Sequence, residues 1–160
     1  MRTLPIPRTI GVAFGALWGM IGALALPDPA RTIASIAVAL AACGLIARLW
    51  LGAPLAGGGN ALFRRTAYLL AVVFEVAAIL AASAVLPRFG LGVYFLCVVG
   101  AIVGLHFIGL WCASGATRFL SIALAMCVVS LGAMLLPAAW RDILLGFGNA
   151  LVLWIGAGLR

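Results

Sequence analysis

Six long apolar stretches, five of them bounded by arginine, are strung along a chain of only 160 residues. A helix needs about 20 apolar residues to cross the hydrocarbon core of a bilayer, with a range of about 17–25. The runs extend over Thr9–Leu26, Thr32–Trp50, Thr66–Leu86, Leu91–Trp111, Phe119–Ala138 and Ile143–Leu159. Breakers lie between them: Pro27-Asp28-Pro29 after the first run, Pro87-Arg88 after the third and Trp140-Arg141-Asp142 before the sixth. Aliphatic, aromatic and cysteine residues make up 67% of the chain and charged residues 8%, too few to coat a water-facing surface. The pattern predicts an all-α integral membrane protein: one bundle of six transmembrane helices, with no soluble module in any loop.

Ten arginines and no lysine face two aspartates and one glutamate. The arginines sit singly or in pairs at the ends of apolar runs. They form no basic stripe with interleaved aromatics, so the charge reads as a topology signal and not as a nucleic-acid surface. With six spans, Arg2, Arg8, Arg48, Arg64, Arg65, Arg118 and Arg160 share one side, whereas Arg31, Arg88 and Arg141 share the other with Asp28 and Asp142. Seven arginines against three put both termini in the cytoplasm. Trp50, Trp111 and Trp140 fall at the expected interfaces. Arg2 and Arg8 before the first run, with Ala23-Leu24-Ala25 near its end, resemble a signal peptide. The run exceeds a usual signal core, so a retained helix is expected. Arginine without lysine, beside abundant alanine and glycine, points to GC-rich coding and a bacterial inner membrane.

Helices in lipid associate through close backbone contact, which small residues allow. Gly11, Gly15, Gly19 and Gly22 stripe the first run, Gly100 and Gly104 the fourth, and Ala71, Ala78 and Ala82 one face of the third. Such faces serve packing inside the bundle first, with a homodimer face as the alternative. Glycine pairs in the first and fourth runs also fit a three-plus-three inverted repeat. The longest inner loop, Gly52–Arg65, carries the Gly57-Gly58-Gly59 triplet, a sign of flexibility.

Three polar residues inside the runs are candidates for ligand binding or proton coupling. Glu75 is the tenth residue of a 21-residue run, near the midplane, where a carboxylate is costly unless it faces a packed interior or a cavity. It projects from the Ala71/Ala78/Ala82 face and should be buried beside a polar partner. His106, the only histidine, lies about 6 Å nearer the cytoplasmic end by helix rise, within reach of Glu75. It does not project from the Gly100/Gly104 stripe, so a structural hydrogen bond is the competing role. Asn149 in the sixth run, like Ser130 in the fifth, serves either a ligand or an interhelical hydrogen bond. Cys43, Cys97, Cys112 and Cys127 lie in separate runs with no Cys-x-x-Cys spacing and read as small packing residues. One histidine and one glutamate fall short of a metal site, and no cofactor motif or nucleophile–base spacing is present, so an enzyme is not expected.

Two strings carry a resemblance: Gly104-Leu105-His106-Phe107, and Gly146-Phe147-Gly148-Asn149-Ala150-Leu151-Val152-Leu153-Trp154. Together they resemble a family of small, uncharacterised bacterial multi-pass membrane proteins, over roughly a third of the chain. In that family a proline often follows the His-Phe pair; here the position is Gly109. The resemblance implies a role for His106 and carries no activity. Two functions stay open: a small transporter or small-ligand-binding protein using the midplane carboxylate, and a non-catalytic membrane subunit or scaffold binding partner helices. A cavity reaching Glu75 favours the first. The expected partners are the lipid bilayer, and a small molecule or lipid as ligand.

Overall fold

The computed structural model describes residues 6–52 and 66–158, and these are helical throughout apart from short turns. The helices are α1 (Ile6–Leu24), α2 (Ala30–Leu51), α3 (Thr66–Val85), α4 (Phe95–Ser114), α5 (Thr117–Ala133) and α6 (Ala138–Gly158). Arg2, Arg64, Arg65 and Arg160, and the glycine triplet of the inner loop, lie outside the described residues. Five of the six helices are long and apolar enough to cross a membrane. The sixth, α5, has 17 residues, at the lower edge of the spanning range, and is followed by a hydrogen-bonded turn over Met134–Leu136.

The helix ends correct four of the expected boundaries. The fourth run was expected to be helical from Leu91 to Trp111. Instead, residues Leu86–Phe89 and Gly92–Tyr94 form two tight 3-10 turns, and α4 begins at Phe95. Gly90 between the turns has φ 69°, a left-handed conformation open to glycine without strain. At the other end α4 runs on to Ser114, where Gly115 at φ 73° bonds back to the Trp111 carbonyl at 2.7 Å. The fifth helix stops at Ala133, not Ala138. Trp140-Arg141-Asp142, expected as a separator, is the first turn of α6, where the Pro137 carbonyl accepts from the Trp140 and Arg141 amides at 2.9 and 3.0 Å. Polarity marked these residues as a loop, but helices in lipid run on into the interface. Arg141 then folds back, donating to the carbonyls of Val93 and Leu136 at 3.2 and 3.4 Å and lying 4.6 Å from the centre of the Tyr94 ring.

Each helix packs antiparallel on its neighbours. The order across the bundle is α2, α1, α6, α5, α4, α3, with a minor contact between α4 and α6. Glycine sets the closest approaches. A β-carbon on Gly146 of α6 would land on the backbone of Gly22 in α1, and one on Gly15 would strike the Trp154 indole. That indole donates to the Val12 carbonyl at 3.1 Å, fastening α6 to α1. Gly19 faces Val38 of α2 on one side and Ala150 of α6 on the other. On α4, Gly104 lies against Ala123 and Cys127 of α5. Both glycine stripes are therefore taken up by packing within the chain. All four cysteines are free thiols; Cys97 is fully buried and Cys127 donates weakly to the Ala101 carbonyl at 3.7 Å.

The outermost helix, α3, has no fully buried residue and packs on α4. Its inner face carries Tyr68, Ala71, Val72, Glu75, Ala78, Ile79 and Ala82, all half-buried. Its outer face is as apolar as its inner one: Leu70 and Val73 are 64% and 65% exposed. An outward face of leucine, valine and phenylalanine is consistent with a hydrocarbon surrounding.

Candidate functional site

The placement of Glu75 follows from one glycine. Gly109 of α4 has no side chain, and the methyl of Ala71 on α3 fills the place where one would be. This close approach brings the two helices together one turn further along each. Glu75 Oε2 then lies 3.2 Å from His106 Nδ1, with the two side chains 20% and 11% exposed. The separation is that of an ion pair. The direction is not that of a good hydrogen bond, because buried Nδ1 makes no aligned bond in the described structure. Tyr68, seven residues before Glu75 on the same face, presents its ring edge-on to the imidazole, with centroids 6.3 Å apart. Sequence reasoning passed over Tyr68, although its spacing of two helical turns from Glu75 was the signal for it.

The pair opens into a cavity of about 250 Å³ between α1 and α3. Those helices are neighbours across the gap without packing on each other. Ile10 and Phe14 line it from α1, Tyr68, Val72 and Glu75 from α3, and Val103, His106, Phe107 and Leu110 from α4. Phe119 of α5 and Leu153 of α6 complete it. Ile10 and Phe14 are 42% and 50% exposed, so the opening faces sideways, where lipid would lie. Glu75, His106 and Tyr68 bring polar atoms into an otherwise apolar lining. A concave apolar space with a few convergent polar groups is the usual form of a small-molecule site.

Aromatic rings build one wall of this space. His106 meets Phe107 edge-on at 5.9 Å between centroids, and Phe107 stacks on Phe119 at 6.2 Å. Arg118 lies over the Phe119 ring at 4.9 Å. This ladder leads from the end of the bundle holding the α4–α5 turn to the Glu75–His106 pair.

Asn149 is not part of this site. It is fully buried in the core where α4, α5 and α6 meet, and its Nδ2 donates to Ser130 Oγ at 3.2 Å. Ser130 occupies the space left by Gly100, and Asn149 Oδ1 has no partner among the described residues. The amide joins α5 to α6 in a core polar contact. Of the three sequence candidates, Glu75 and His106 are brought together and Asn149 stands apart.

No group of three or more histidine, cysteine, aspartate or glutamate side chains comes together to hold a metal among the described residues. Comparison with protein families, with curated proteins and with solved structures finds no match.

Proposed function

We propose that this chain spans a bacterial inner membrane six times with both termini in the cytoplasm. In that setting it binds a small molecule or lipid between α1 and α3 and couples its movement to a proton carried on the Glu75–His106 pair. The observation that carries the reading is the apolar cavity that ends on a carboxylate and an imidazole 3.2 Å apart. Carboxylate and histidine inside a span commonly mark ligand or proton paths. The arginine asymmetry supports the orientation, and antiparallel packing of all six helices supports the span count. No nucleophile or cofactor motif accompanies the pair, so the reading is of binding and transport without chemistry.

A second reading has its own observation. α2 packs mainly on α1 and α3 mainly on α4, and both present most of their surface outward. This suits a non-catalytic subunit or scaffold whose partner helices cover those faces. A second copy of the chain would also meet α2 or α3, since the glycine stripes are occupied.

Substitutions at Glu75 and Val72 separate the readings. A neutral diazirine photolabel in phosphatidylcholine nanodiscs should mark Phe14, Val72 and Phe107, and Val72→Phe should fill the cavity and remove that labelling. Glu75→Gln keeps the shape of the side chain but cannot ionise. It should leave thermal stability close to wild type and abolish proton flux in vesicles loaded with a pH-sensitive dye. Glu75→Leu should lower stability by stranding His106, a cost of order 1 kcal/mol for an interhelical polar contact in lipid. A Glu75→Gln protein with unchanged proton flux and unchanged pH dependence of labelling would leave the scaffold reading in front.

A further inference from the structure

We infer that the ligand of the Glu75–His106 cavity is an organic cation with an apolar body, and that it exchanges one for one with the proton held by the pair. The inference rests on the binding role proposed above and assigns the charge of the molecule bound.

The pair sets the sign. Glu75 brings a carboxylate to the lining, His106 an imidazole and Tyr68 a phenol; the remaining lining is apolar. Surroundings of this kind disfavour a net charge. With Glu75 Oε2 and His106 Nδ1 3.2 Å apart, one proton makes the pair neutral overall. That holds whether a carboxylic acid faces a neutral imidazole or a carboxylate faces an imidazolium. Without the proton the site carries one negative charge, which a bound cation cancels. One cation in and one proton out leaves the charge of the cavity unchanged. An anion would need a second proton on the pair, and a neutral molecule would leave the first where it is.

The neighbouring helices do not alter this count. Glu75 is the one Asp, Glu, Lys or Arg of α3, and α4 has none. α6 reaches the cavity through Leu153. Arg8 of α1 and Arg118 of α5 line a smaller adjoining cavity of about 50 Å³ and not this one.

The rest of the wall suits the body of such a molecule. Phe14, Tyr68, Phe107 and Phe119 come to the lining from four different helices. Aromatic faces attract cations, most strongly where water is excluded. Phe119 already has the Arg118 guanidinium over its ring at 4.9 Å. A void of about 150 Å³ holds one benzene ring. The cavity of about 250 Å³ therefore takes a ring bearing a small charged head, and not the two acyl chains of a phospholipid.

Three molecules of nearly one shape test the sign: benzyltrimethylammonium, its neutral carbon isostere neopentylbenzene, and the anion phenylmethanesulfonate. Each is titrated against the neutral photolabel in phosphatidylcholine nanodiscs, with its concentration in the bilayer measured. The cation should displace the label at a concentration at least about ten-fold below the isostere, as a desolvated carboxylate and aromatic faces would give. The anion should be weakest. Because one proton leaves for each cation bound, the cation's affinity should rise with pH, by up to about ten-fold per unit. Glu75→Gln should erase the cation's advantage and its pH dependence and leave neopentylbenzene unchanged. Glu75→Asp, which keeps the charge, should retain part of both. In vesicles loaded with a pH-sensitive dye, a gradient of benzyltrimethylammonium should drive protons the opposite way; this ion cannot carry a proton itself. One-for-one exchange is electroneutral, so a potential set by potassium and valinomycin should not change the rate. A rate that follows the potential would overturn the exchange. Equal displacement by all three molecules, or a cation preference that survives Glu75→Gln, would overturn the cation assignment and leave the binding role standing. Failure of all three to displace the label would remove both. A second arm compares phosphatidylglycerol nanodiscs at high salt, where surface charge is screened. Label entry in both lipids supports a free cation. Entry in phosphatidylglycerol alone would assign the cavity to the ammonium headgroup of phosphatidylcholine and overturn the inference.

Discussion

Gly109→Ala is expected to part Glu75 from His106 without touching either residue. The new methyl group would overlap the methyl of Ala71 on the facing helix. Carbon atoms settle at about 3.5–4.0 Å, so α3 would have to retreat by about 1 Å. That displacement takes the Oε2–Nδ1 separation from 3.2 Å to beyond the range of an ion pair. Overpacking of this kind costs about 1–3 kcal/mol. It is opposed by the helix propensity of alanine, worth up to about 1 kcal/mol over glycine. The net effect of the single change is thus a destabilisation of about 0–2 kcal/mol, which alone decides little. The background reverses it. In an Ala71→Gly protein the clash is gone and only the propensity gain remains, so Gly109→Ala should then be neutral or stabilising. Thermal unfolding of the four proteins in one detergent gives the coupling energy of the cycle, which should be about 1–3 kcal/mol. The double variant should also recover the pH-dependent proton flux that the single variant loses. A coupling near zero would mean that α3 does not dock on α4 through these two positions, and the derivation of the site would fail with it.

Other substitutions test the remaining links. Gly146→Ala should be the most damaging glycine change, by more than about 1–3 kcal/mol, because its methyl meets the unyielding backbone of Gly22. Gly44→Ala faces open space and should be neutral or stabilising by up to about 1 kcal/mol in the same melts. Asn149→Ala should cost about 1 kcal/mol through loss of the Ser130 contact and leave cavity photolabelling unchanged, which would place the amide among the structural residues. In a protein whose native cysteines are replaced, Asp28→Cys and Arg88→Cys should react with an impermeant maleimide from outside the cell. Gly115→Cys should react only from the cytoplasmic side; finding Asp28 and Gly115 accessible from one side would refute the six-span topology.

Much of the fold was readable because apolar run length reports the solvent. A stretch such as Thr66–Leu86 is long and apolar enough to cross hydrocarbon. Helix ends were read less well, since α4 continues past Trp111 and α6 starts before Asp142. Backbone hydrogen bonding, and not hydropathy, decides where such helices stop. Glu75 stood out by its depth, and its alanine face was the correct guide to the packed side. The contact with His106 was open on depth alone, because Gly100 and Gly104 drew attention to the α5-facing side of α4. Gly109, three residues beyond His106, marks the other side, where α3 sits. The aromatic wall could not be read at all: Phe107 and Phe119 belong to different helices, and their stacking depends on the turn at Gly115. Asn149 was recognisable as polar but not as remote, since its neighbour Ser130 comes from another helix.

Nitrogen-15 NMR of histidine-labelled, untagged protein in nanodiscs tests the central claim most directly, because His106 is the only histidine in the chain. Its imidazole resonances report the carboxylate beside it and any molecule entering the cavity. The neutral photolabel should shift both ring nitrogens in a saturable way, Glu75→Gln should shift them without any ligand, and Val72→Phe should abolish the ligand response. Resonances that ignore both Glu75→Gln and the saturating photolabel would contradict the account, since the imidazole would then be neither partner to the carboxylate nor wall of an occupied site.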